Sequence, residues 1–196
     1  MEQSQQWNAI RAAVAAHKHA ALDDDGKMAA AVLIALAPYD TGPHIVFQVR
    51  SFDVEHHKGE ISFPGGAKDA TDANLAACAL RESHEELGIH PSHVDLLGEM
   101  SHYITHTGFH VTPFVGILDR APYPYVASEI EVAQVLDVPL SHLLDEANWS
   151  HQIRERDDTS FTMRSYHWGE HTIWGATAMM LQTFLSDVAS ELSLDH

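Results

Sequence analysis

The 196-residue chain is 45% hydrophobic, enough for one well-buried core, and its 28 acids against 11 Lys and Arg leave a formal charge of −17. That balance excludes a broad electrostatic grip on duplex nucleic acid or an anionic membrane, so an anionic substrate has to be met through metal ions. Cys78 is the only cysteine, which rules out an intrachain disulfide or a cysteine-rich zinc site and fits a reducing compartment. Residues 5–22 set Trp7, Ile10, Ala13, Val14 and Ala21 at helical spacing ahead of Asp23-Asp24-Asp25-Gly26, which predicts an amphipathic helix used for packing. No basic segment and apolar run open the chain, and the longest apolar run, 28–37, is too short to span a bilayer, so the expected location is the cytoplasm.

Strands are predicted over 28–37 and 44–50, folded into a hairpin across the turn-like 38–43. A glycine-bearing loop follows over 51–66, then a helix over 72–87 with Asp72 as its N-cap and Gly88 as its C′ residue. Residues 94–104 and 110–119 read as two further strands. The pattern over 126–138 leaves strand and loop both open. A short helix with proline at its start is predicted over 139–147, a strand over 161–168 turned by Gly169-Glu170-His171, and a closing helix over 173–192. No repeat or linker appears. The expected organisation is a helix in residues 1–27 packed on one domain of residues 28–196. Strands and helices without regular βαβ alternation predict a mixed α+β sheet sandwiched by helices.

The helix over 72–87 carries the informative chemistry. Ala76, Ala79, Leu80, Ser83 and Leu87 share one face, and Glu82, Glu85 and Glu86 cluster about a third of a turn away. Like charges at i,i+3 and i,i+4 repel by a few tenths of a kcal/mol per pair (~0.2–0.5), and the helix C-terminus disfavours anions as well. Arg81, four residues before Glu85, offsets this locally. A solvated acidic face is one reading. The other is a site for a hard divalent cation, which binds through carboxylates while keeping waters and phosphate oxygens.

The segment Arg81-Glu82-Ser83-His84-Glu85-Glu86-Leu87-Gly88-Ile89 resembles the core of the Nudix box, the metal and pyrophosphate motif of Nudix hydrolases. Two departures stand out. Ser83 replaces the usual aliphatic residue, and the interval from Gly66 to Arg81 is one residue longer than the family pattern, which puts Ala73 where an early glutamate belongs and leaves Asp69 or Asp72 to substitute. The resemblance implies a Nudix α/β/α sandwich and Mg²⁺ or Mn²⁺ on Glu82, Glu85 and Glu86. It also implies Arg81 orienting a glutamate, and Gly65 and Gly66 giving the backbone close approach to the metal centre. Upstream, Arg50, Ser51, Gly59, Phe63, Pro64, Gly65 and Gly66 fall in register with a signature of the coenzyme A pyrophosphatase branch, and the likeness extends over about residues 30–185. It implies a small-molecule nucleotide substrate, with Arg50, Ser51, Phe63, Gly65 and Gly66 in the binding region. His56 and His57 read either as phosphate-binding or proton-transfer residues, with His57 the candidate for the substrate, or as a solvated loop pair, and the chain is expected as a monomer or homodimer. Glu55 stands where that signature has a second arginine. The expected reaction is hydrolysis of coenzyme A or acyl-CoA, with ADP-ribose, NADH or another dinucleotide as the rival substrate and a non-catalytic nucleotide-binding module as the rival class. Glu131, beside Glu129, is expected as a metal ligand or general base, or else as an exposed strand edge. Trp174 and Gly175 are expected to pack the last helix, and Cys78 to be a small helix residue without redox function.

Overall fold

The apolar run from Met28 and the alternating segment after Gly42 fold back on one another across Asp40 and Thr41. In the computed structural model, which describes residues 3–18, 26–51, 58–105, 107–156 and 159–194, they form β1 (Met28–Tyr39) and β2 (Gly42–Arg50), with Leu36 opposite Ile45. Both faces of β1 are buried, with Ala30, Ile34 and Leu36 in one cluster and Ala31, Leu33 and Ala35 in another. Such a strand reads as a continuous apolar run because neither side meets water. It runs parallel to β7 (Phe109–Leu118) and antiparallel to the short β4 (Gly65–Ala67). Outward from β2 lie β3 (Ile61–Ser62) and β8 (Val132–Pro139); β5 (Val94–Glu99) and β6 (Tyr103–Ile104) pair with β7. The sheet is therefore mixed, as expected.

Helices cover both faces, which makes the α/β/α sandwich. One face carries α1 (Gln3–Ala16), α3 (Leu140–Leu144) and α4 (Gly175–Leu194), whose Ile10, Leu143, Leu181 and Phe184 bury against Phe47 and Phe63 of the sheet side. The other carries α2 (Leu75–Leu87), with Cys78, Ala79 and Leu87 packed on Ala31, Leu33 and Phe114. A second, three-stranded antiparallel sheet joins β9 (Trp149–Arg156), β10 (Thr159–Trp168) and β11 (His171–Ile173). No strand was expected over 149–156. Its apolar and charged residues follow no clean alternation, and pairing with β10 supplies what the pattern lacks.

Helix α1 ends six residues before the expected 22, and residues 19–25 lie outside the described ones. His17 ties its end down. The Nε2 atom lies 2.9 Å from the backbone N–H of Ser101, which can only donate, so Nδ1 carries the proton and donates to Asp187 of α4 at 2.6 Å. Among the described residues no helix is long and apolar enough to cross a membrane.

Candidate metal and diphosphate site

Helix α2 starts later than expected. Asn74, not Asp72, is the N-cap, its side chain accepting from the Ala77 N–H at 2.8 Å. Asp72 is occupied elsewhere: its two oxygens take Nε and Nη2 of Arg81 at 2.9 and 3.0 Å. This bidentate pair holds the Asp72 carboxyl down at about 2 and raises Arg81 further above its already high value. At the other end Gly88 is left-handed with φ 70°, its N–H on the His84 carbonyl, as expected of C′. Ser83, the departure from an aliphatic residue, is fully buried and returns its hydroxyl to the Ala79 carbonyl at 2.7 Å.

Arg81 also reaches forward. Its Nη1 lies 2.8 Å from Glu82 and 2.8 Å from Glu85, so one guanidinium bridges three carboxylates. Glu86 points the other way, into the sheet. Only 4% exposed, it accepts the Gly65 N–H at 2.8 Å and has Arg50 Nη1 at 4.0 Å. Burial pushes its carboxyl up to about 7 against the lowering pull of these donors, and burial raises Glu82 too, with Glu85 and Glu131 adding repulsion. Gly66 is small for a reason. A Cβ there would sit 2.6 Å from the Glu82 carboxyl, and one on Gly65 would strike the Ala31–Val32 backbone.

The expected triad of ligands is thus split. Among the described residues no three His, Cys, Asp or Glu side chains converge closely enough to hold an ion, because Arg81 takes Glu82 and Glu85 while Gly65 takes Glu86. The donor set nevertheless fits a hard divalent cation. It consists of carboxylate oxygens, and two of them have lost water without enough positive charge in return.

The remaining expected residues fall as follows. Arg50 ends β2 with its guanidinium toward Glu86 of α2, and the N–H of Ser51, the next residue, holds the Glu131 carbonyl at 2.8 Å. Glu131 is exposed, in the turn before β8, and its charge reaches Glu82. Of the segment 126–138, left open between strand and loop, 132–138 is strand β8, whereas 126–131 is irregular and feeds the Val126 and Ser128 N–H groups to the Leu87 and Glu86 carbonyls at 3.0 and 2.8 Å. Phe63 does not line the site. It is 1% exposed and stacks on Phe47 at 5.0 Å, so it anchors the turn into β4 from the opposite core. His57, with Glu55 and His56, lies outside the described residues. Cys78 is buried and its thiol is pushed up to about 11 by burial, which keeps it protonated and unreactive. Trp174, expected to pack the last helix, immediately precedes α4 and is 40% exposed. The buried Gln48, whose amide lies 3.4 Å from the Ser62 hydroxyl, was not expected: only the polar break in Val46-Phe47-Gln48-Val49 marks it. A cavity of about 610 Å³ opens at the other end of α2, lined by Lys68, Asn74, Leu75, Glu99 and Phe114, and it includes none of the three glutamates.

An Arg-Glu helix laid over a Gly-Gly turn in a sandwich of this topology defines a class, and the comparison with known families agrees. The NUDIX domain model matches residues 27–151, so the chain belongs to the Nudix family. Among curated proteins it is similar to the uncharacterized Nudix hydrolase NudL of Enterobacter sp. (strain 638), 38% identical over 153 residues that cover 78% of this chain and 79% of that protein. NudL of Escherichia coli O1:K1 / APEC is likewise 38% identical, over 154 residues covering 78% and 79%. Solved structures share the fold. A MutT protein from Methanosarcina mazei Go1 matches with TM-score 0.54 and 19% identity over 87% of this chain and 98% of that one. The NUDIX domain of Shewanella oneidensis NrtR, complexed with ADP ribose, matches with TM-score 0.53 and 14% identity over 87% and 94%.

Proposed function

We propose that this Nudix hydrolase cleaves the diphosphate of coenzyme A or an acyl derivative, releasing 3′,5′-ADP and (acyl-)4′-phosphopantetheine. The observation that carries the reading is the meeting of two motifs at one carboxylate. Arg50 and Gly65, from the upstream signature, both face Glu86 of the box helix. Glu82, Glu85 and Glu86 are the residues that would hold Mg²⁺ or Mn²⁺, with Arg81 giving up part of its grip on Glu82 and Glu85. Such a cation neutralises a diphosphate and lowers the pKa of a bound water. The chain supplies the rest. Arg50 offers its guanidinium to a phosphate, and the small Gly65 and Gly66 let substrate come close to backbone. Glu131 and Glu85 are exposed, unlike the half-buried Glu82 and the buried Glu86; Glu131 is the proposed proton acceptor for the attacking water.

The test is a substrate panel with Mg²⁺ and Mn²⁺, products separated by chromatography. Coenzyme A should give the two named products, and all turnover should cease in EDTA. Hydrolysis of ADP-ribose or NADH with coenzyme A untouched would assign the rival substrate, which Glu55 favours because it reverses a charge in the coenzyme A signature. Binding of nucleotides without turnover would assign a binding module, the reading favoured by Arg81 lying between Glu82 and Glu85. Glu55 also predicts weak discrimination between coenzyme A and 3′-dephospho-coenzyme A. Glu55→Arg should raise the ratio of their kcat/KM values roughly 5- to 30-fold. An unchanged ratio would show that Glu55 does not select.

A further inference from the structure

On the face of the sheet away from α2, three side chains from distant parts of the chain meet outside the glutamate site. His17 follows α1, Ser101 follows β5, and Asp187 lies on α4. Gly98 lets them approach, because a Cβ there would stand 2.9 Å from Val14 of α1 and push that helix off the strand. His17 Nε2 lies 2.9 Å from the Ser101 backbone N–H and 2.9 Å from its Oγ, and Nδ1 lies 2.6 Å from Asp187 Oδ2. The backbone N–H can only donate, which leaves Nε2 without a proton. Between Nε2 and Oγ the hydroxyl is then the donor, and Nδ1–H faces the carboxylate. Hydroxyl to imidazole and imidazole to carboxylate is the polarity of a nucleophilic Ser-His-Asp triad, which is recognised by geometry and roles and not by order in the chain. The His17 side chain is 8% exposed, so the ring is fixed by its surroundings, while Ser101 is half-buried and keeps part of its surface open. A tie between α1 and the strand end needs only the backbone N–H. The hydroxyl adds a nucleophile.

We propose that Ser101, His17 and Asp187 form a second hydrolytic site, directed at small carboxylic esters. Ser101 Oγ attacks the ester carbonyl carbon while its proton passes to His17 Nε2, and the Asp187 carboxylate stabilises the imidazolium that forms. The C–O bond to the alcohol breaks, and the alcohol leaves with the proton from Nε2, so that the acyl group stays on Oγ. Water then attacks that acyl carbon and gives a proton to Nε2. The proton returns to Oγ as the carboxylic acid departs. His17 carries every proton, so the reaction runs in a chelator, unlike the diphosphate cleavage proposed for α2. The half-buried setting of Ser101 between α1 and the strand end limits the substrate to a short acyl group.

The test treats the full chain in EDTA with a fluorophosphonate and, separately, with p-nitrophenyl acetate, and peptide mass spectrometry locates the label. Ser101 should carry the phosphonyl group while Ser92, more exposed and 2.7 Å from the His90 ring, stays unmodified. Asp187→Asn keeps the shape of the orienting side chain and removes its charge. It should slow both labelling and p-nitrophenol release by about 100-fold or more, within the roughly 10²- to 10⁴-fold range of general-base catalysis. Thermal melting reports whether that variant folds. A merely structural contact lowers its melting temperature and leaves Ser101 unlabelled in the parent, which would overturn the proposal. Label spread over the exposed serines does so as well, as does a Ser101 label that forms equally fast in folded Asp187→Asn. Should Asp187→Asn fail to fold, Ser101→Ala decides, because it removes only the hydroxyl: ester turnover that persists in that variant at the parent rate places the chemistry elsewhere.

Discussion

Glu82 and Glu86 are one helical turn apart, yet only Glu86 is carried under the sheet, where Gly65 and Arg50 lie against it. Its carboxylate is held at the cost of hydration, and a cation would restore the missing charge. Glu86→Gln should lower kcat by orders of magnitude while the metal-free protein melts no lower than the parent, because the change removes a buried charge and keeps the shape. Activity at the parent rate would place the chemistry elsewhere. Asp72 offers a pH test of the Arg81 hub. Its folded pKa of about 2 lies below the ordinary 3.8, so its contribution to stability is present above 3.8 and is lost as pH falls through 2. Urea unfolding should therefore show Asp72→Asn less stable than the parent near neutrality, with the gap closing by about pH 2. A gap that persists in acid would mean that the charge is not what Asp72 contributes. The sequence exposed the three glutamates and Arg81, because charge on a helix wheel is a local property. It did not expose the burial of Glu86, since that depends on which strand lies beneath the helix.

Helix α2 shows how a local signal can mislead. Asp72 has the chemistry of an N-cap, but a guanidinium from nine residues on claims both its oxygens, and the cap passes to Asn74. Asn74→Ala should cost about 1 kcal/mol of stability, read by denaturant unfolding, and leave Mn²⁺ affinity unchanged, since the cap sits at the end of the helix away from the glutamates. An affinity that fell with the cap would tie the start of the helix to the site. The C-terminal end follows a different rule. Gly88 was readable from composition alone, whereas the Val126 and Ser128 N–H groups that cover the last carbonyls come from a segment whose pattern favoured neither strand nor loop. Hairpin β1–β2 was legible because its turn residues and apolar runs are adjacent in the chain; β9 was not, because its partner defines it.

Across the whole molecule, a charge of −17 meets substrates that are themselves anionic, so bound cations are the bridge the composition demands. An ion bound by the native state alone adds RT ln(1 + [L]/Kd), about 2.7 kcal/mol at a hundredfold excess over Kd, and the melting temperature should climb with Mg²⁺ or Mn²⁺. No shift at saturating metal, with no heat of binding, would leave the glutamates as a solvated face. At the alkaline end the fold should weaken from about pH 10, because Tyr39 donates to Asp137 at 2.6 Å and its hydroxyl is pushed up to about 12 by burial and that partner. Stability is full below the unfolded value of 10 and is lost as pH rises through 12, which melting curves over that range would follow. The sequence by itself determined the sandwich, the box helix, its Arg and Glu residues and the absence of cysteine chemistry, because periodicity, charge spacing and motif are properties of neighbours along the chain. Only the tertiary structure decided that Arg81 is also claimed by Asp72, that Phe63 belongs to the opposite core, and that Gly65 of β4 holds Glu86, because those contacts join residues that meet only when the chain folds the helix onto the sheet.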